Sequence, residues 1–113
     1  MSWQKVAELE ELEVGKPTLA QLDEPVCVVR VDGDVVYAVH DVCSHQYYEL
    51  HEGYVDDTTI ECALHGSSFD METGEPDSLP AVQPIPTYAV KISGGAVWVD
   101  VAQQTNDAPV PQH

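Results

Sequence analysis

Lysine and arginine are nearly absent from this chain: 4 basic side chains stand against 20 acidic ones, for a net charge of −16. Such a surface cannot neutralise phosphates, which argues against nucleic acid and anionic membranes as partners. It either steers the protein toward a basic partner or keeps a small protein in solution. No apolar run approaches the length of a membrane span. The N-terminal Met1-Ser2-Trp3-Gln4-Lys5 lacks a basic start followed by an apolar stretch, so no secretory signal is expected and the cytoplasm is the expected location. The chain has no nucleophile elbow, phosphate loop or dinucleotide fingerprint, so it is expected to hold neither flavin nor nicotinamide. Cysteine is scarce and odd in number, with 3 residues, which does not suit a disulfide scaffold. At 113 residues there is room for one domain with one modest core.

What is present reads as β-structure. Pro25 to Val31 and Val35 to His40 are rich in valine and flank Asp32-Gly33-Asp34, a hairpin signal. Tyr88 to Ile92 and Ala96 to Asp100 flank Ser93-Gly94-Gly95 and predict a second hairpin. Trp3 to Glu8 is a further expected strand. Leu9 to Leu12 is an expected helical turn, stopped by Gly15 and Pro17. Between the hairpins, residues 41–86 are turn-rich, with short strands expected at Gly53–Val55, Thr59–Glu61 and Ser67–Phe69. The polar, proline-containing stretch 103–113 is expected as a disordered tail, leaving residues 1–102 as the domain. Cys27, inside Val26-Cys27-Val28-Val29, is expected to be a buried, inert thiol.

Chemistry concentrates in the turn-rich segment. Cys43-Ser44-His45 is followed, after residues 46–61, by Cys62-Ala63-Leu64-His65. Each half pairs a thiolate with an imidazole, and two such loops set tip to tip would converge on one site. Two soft sulfurs and two borderline nitrogens suit either zinc or an iron–sulfur cluster. Gly66, directly after His65, suits a tight turn.

Cys43-Ser44-His45-Gln46 and Glu61-Cys62-Ala63-Leu64-His65-Gly66-Ser67-Ser68-Phe69-Asp70 resemble the two boxes of the Rieske family. Glu52-Gly53-Tyr54-Val55, Thr73-Gly74-Glu75 and Leu79-Pro80-Ala81-Val82 resemble it too, the last its proline loop. In length and pattern the chain looks like the small Rieske ferredoxins of bacterial aromatic-ring-hydroxylating dioxygenase systems. The resemblance implies an all-β Rieske fold: an antiparallel β-sandwich base with an inserted, loop-rich cluster-binding subdomain at about 41–86. It implies one 2Fe–2S cluster, with Cys43 and Cys62 on one iron and His45 and His65 on the other. It implies a one-electron carrier, not an enzyme, that serves an NAD(P)H-dependent flavin reductase and a terminal oxygenase as a monomer. The docking surface is then expected at the tip bearing His45 and His65, with Gln46, Leu64, Gly66 and Pro80 as neighbours. The small subunit of assimilatory nitrite reductase offers an alternative, but it typically lacks the ligands that this chain has.

Departures from the family set the expected potential. High-potential members brace the two loops with a disulfide; the matching positions here are Tyr48 and Leu64, so packing must replace it. Those members also donate Ser and Tyr hydroxyls to the cluster sulfurs. Ser67 occupies the first position, while Phe69 stands at the second without a hydroxyl. Each lost donor disfavours the more negative reduced form. A redox titration is therefore expected to give a midpoint at or below about 0 mV, in the lower part of the Rieske range. Of the other histidines, His40 is expected to be structural, His51 a solvated loop residue near the cluster, and His113 part of the tail. Trp3 and Trp98 are expected to pack on sheets.

Overall fold

The computed structural model describes residues 3–22, 24–42, 49–62, 68–76, 84–106 and 108. Among the described residues, nine strands run in chain order: β1 Gln4–Glu8, β2 Thr18–Gln21, β3 Pro25–Asp32, β4 Val35–His40, β5 Tyr54–Asp56, β6 Thr59–Glu61, β7 Ser68–Asp70, β8 Tyr88–Ser93 and β9 Ala96–Gln104. They form three antiparallel sheets of three strands, ordered β1-β9-β8, β2-β3-β4 and β5-β6-β7. The all-β class and the insertion of a small sheet into a two-sheet base are as the resemblance implied.

The local reasons are visible in the turns. Gly94 and Gly95 both have positive φ, 63° and 78°, and join β8 to β9 through a two-residue turn whose twist matches that of its strands. Gly33 and Asp34 join β3 to β4, with Arg30 Nε donating to Gly33 O at 2.5 Å. The expected turn at Leu9–Leu12 is a single 3-10 turn, Leu9–Glu11, closed by Leu12 N donating to Leu9 O.

β3 and β4 form the middle layer of the molecule. Successive side chains of a strand point to opposite faces. Val26 and Val28 join Ala38, Tyr88, Val97 and Val99 in one core cluster, between the two base sheets. Cys27 and Val29 point the other way and join Val39, Leu50, Ile60, Cys62, Phe69 and Ile85. All four residues of Val26–Val29 are at most 1% exposed, because this strand is covered on both faces. That accounts for an unbroken apolar run where a strand with one wet face would alternate. Cys27 is buried as expected.

Two expectations differ from the structure. β2 was not foreseen: its residues are exposed except the half-buried Ala20, so the edge strand leaves little apolar alternation to read. β9 continues to Gln104, past the expected domain end at 102, and the chain stays engaged beyond it. Asn106 Nδ2 donates to Thr73 O and Ile85 O, both at 2.9 Å, its Oδ1 accepts from Thr87 N, and Ala108 is 6% exposed. Polarity in this stretch reflects hydrogen bonding to the two ends of the segment between Thr73 and Ile85. Trp3 and Trp98 are half-buried on the base, with the Lys91 ammonium 4.6 Å and 5.9 Å from their ring centres.

Candidate metal centre

Cys62 owes its place to strand alternation. In the small sheet, Ile60 pairs with Phe69, and both are fully buried. Cys62 lies two residues beyond Ile60, so its side chain shares the inward direction. It is 1% exposed, packs in the cluster with Leu50, Ile60, Phe69 and Met71, and is in no disulfide. Across the β5–β6 hairpin, Gly53 sits against the backbone of Glu61, where a Cβ would overlap the carbonyl oxygen. This close approach requires glycine.

Cys43, His45 and His65 lie outside the described residues, as do Gln46, Tyr48, Leu64, Gly66, Ser67 and the stretch 77–83. The frame that carries them is described. Val42, which precedes Cys43, forms an antiparallel bridge with Glu49. One residue earlier, the Asp41 carbonyl accepts a 2.7 Å hydrogen bond from Leu50 N. Leu50 is fully buried in the same core cluster as Cys62. The base of the first ligand loop and the start of the second therefore meet in one packed core. A buried cysteine at that meeting point fits a thiolate ligand, and two thiolates with two imidazoles fit a 2Fe–2S cluster of the mixed kind. The ligand set itself remains our proposal for Cys43, His45, Cys62 and His65.

The electrostatics of this frame centre on Asp41. Its carboxylate is buried, yet both oxygens are used: Oδ1 accepts from His51 N at 2.8 Å, and Oδ2 lies 2.6 Å from His51 Nδ1. Burial raises the pKa of Asp41, and His51 opposes that rise. Burial, with the Asp41 carboxylate nearby, pushes the Cys27 thiol well above its usual value, so Cys27 stays protonated and inert. His40 is 2% exposed, with Nδ1 3.1 Å from the Tyr88 hydroxyl, and burial lowers its pKa. It is structural, as expected. His51 is not the solvated loop residue expected from sequence. Its sequence signal was weak, since the partner is an aspartate flanked by His40 and Val42 on the far side of the ligand loop.

The family model of the Rieske [2Fe-2S] domain matches residues 2–89. The chain belongs to the Rieske family. Its relatives include the anthranilate 1,2-dioxygenase ferredoxin subunit of Burkholderia cepacia, 36% identical over 88% of this chain and 92% of that protein. Among solved structures, the ferredoxin of carbazole 1,9a-dioxygenase from Nocardioides aromaticivorans IC177 is 40% identical. It superposes with a TM-score of 0.84 over 88% of this chain and 97% of its own. A ferredoxin in complex with the oxygenase of carbazole 1,9a-dioxygenase is 33% identical, with a TM-score of 0.86 over 93% and 97% of the two chains.

This Rieske protein is accordingly an electron carrier with one 2Fe–2S cluster, and the zinc alternative falls away. When bound, the cluster supplies a one-electron redox couple. The described residues supply the packed core from which both ligand segments start, and the charge and polarity beside it. No described helix is long and apolar enough to cross a membrane.

Proposed function

We propose that this Rieske ferredoxin takes single electrons from an NAD(P)H-dependent flavin reductase. It passes them to the Rieske centre of a terminal aromatic-ring dioxygenase, acting as a monomer in the cytoplasm. One observation carries the reading: the likeness to ferredoxin components of such systems extends over nearly their whole length, up to 97% of the solved chains.

Charge placement supports docking through the cluster-bearing lobe. The chain's basic residues are Lys5, Lys16, Arg30 and Lys91, so none falls in residues 41–86. Glu52, Asp56, Asp57, Glu61, Glu72 and Glu75 are all exposed on that lobe. A basic partner surface would be drawn to this end of the molecule, where the imidazole ligands are proposed to lie. The test is reconstituted turnover with purified reductase and oxygenase. Electron transfer from reductase to oxygenase is expected to require this protein and to slow as salt rises from about 0.01 to 0.5 M, where screening shortens the range of attraction. Turnover that proceeds equally well without it would refute the role. Transfer indifferent to salt would refute docking by charge.

A further inference from the structure

Residues 43–48, which include Cys43 and His45, lie in sequence between two short described segments, 41–42 and 49–51. Four contacts hold those segments together, and all of them run to Asp41 or its neighbour. Val42 bridges Glu49, and Asp41 O accepts from Leu50 N. The other two are the side-chain contacts of Asp41 with the backbone N–H and the imidazole of His51, at 2.8 and 2.6 Å. Asp41 N in turn donates to Pro25 O at 3.0 Å, which ties the same residue to the start of β3. The Asp41 side chain is 1% exposed and that of His51 22% exposed, so the pair closes the loop from inside the protein.

We propose that Asp41 and His51 form a clamp that fixes the first ligand loop, with His51 a positioning residue for the metal centre. A carboxylate removed from water is costly unless its oxygens are matched by donors. Here the matching donors come from the far end of the loop, so satisfying Asp41 and closing the loop are one event. Hydrogen bonds to a charged group are stronger and more directional than neutral ones. The clamp therefore joins the two described segments that flank the positions of Cys43 and His45. Glu49 Oε2, 4.0 Å from His51 Nδ1, is too distant to replace Asp41.

The clamp rests on the assignment of Cys43 and His45 as ligands, and the test separates the two. The parent protein, His51→Ala and His51→Asn are purified with cluster. Each is followed by electron paramagnetic resonance of the reduced form and by the rate of iron loss to a chelator. Asparagine can place an amide N–H near the position of imidazole Nδ1; alanine cannot. His51→Ala is expected to shift and broaden the Rieske signal and to speed iron loss about tenfold or more, the factor lost with one charge-assisted hydrogen bond. His51→Asn is expected to restore both. A parent without a Rieske signal would overturn the ligand assignment. A parent with one, whose signal and iron retention are unchanged in His51→Ala, would overturn the clamp. So would equal impairment of the two variants, which would mark His51 as packing only. If His51→Ala yields no folded protein, loss of the signal in His51→Asn overturns the clamp by itself.

Discussion

Cys62→Ser is expected to yield a protein without its cluster, while Cys27→Ala keeps it. Both cysteines are at most 1% exposed, and both belong to the same core cluster, so burial does not separate them. Their surroundings do. Cys27 lies mid-strand in β3, paired with Leu19 and Val39, and burial beside Asp41 keeps its thiol protonated. Cys62 stands just past the end of β6, where the chain enters the second ligand loop. A serine hydroxyl there is a poor substitute for a thiolate on iron, since soft sulfur ligands are what select these clusters. Visible absorption and the iron and sulfide content of each variant check the expectation. A Cys62→Ser protein with the parent's spectrum would remove Cys62 from the ligand set, and a bleached Cys27→Ala protein would add Cys27 to the centre.

Phe69→Ala is expected to cost about 3–5 kcal/mol of stability, the usual range for emptying a phenylalanine site in a core. Phe69 is the only phenylalanine in the chain and is fully buried. It pairs with Ile60 on the small sheet and faces β3 and β4 across the core that also contains Leu50, Cys62, Met71 and Ile85. A small domain has only about 5–15 kcal/mol in total. The lobe that carries the metal centre should therefore loosen well before the base, and cluster retention should fall with it. Urea unfolding of parent and variant measures the first effect, and iron release the second. A loss below about 1.5 kcal/mol would mean that the small sheet is not packed on the base through this side chain.

The burial of Phe69 also bears on the expected low potential. Phe69 carries no hydroxyl to donate. The structure adds that its surroundings are apolar, so a tyrosine there would need to find a partner for its hydroxyl on the ligand side.

The two long hairpins were legible because their turns are local: Asp32-Gly33-Asp34 and Gly94-Gly95 fix strand ends within a few residues. The four proposed ligands were legible because metal chemistry restricts residue type and spacing. The edge strand β2 was not legible, since Thr18–Gln21 buries little and pairs with β3 only once the sheet exists. Nor was the role of 103–108, because Asn106 reaches partners 33 and 21 residues away.

The sequence by itself determined the all-β class, the acidic character and the two Cys/His pairs from which the donor set is proposed, since turn chemistry, charge and ligand type are properties of residues and their near neighbours. Tertiary structure alone decided that β3 is buried on both faces, that Cys62 packs in one core with Leu50 and Phe69, and that Asp41 meets His51. Each of these depends on which surfaces exclude water, and water is excluded only when distant segments pack together.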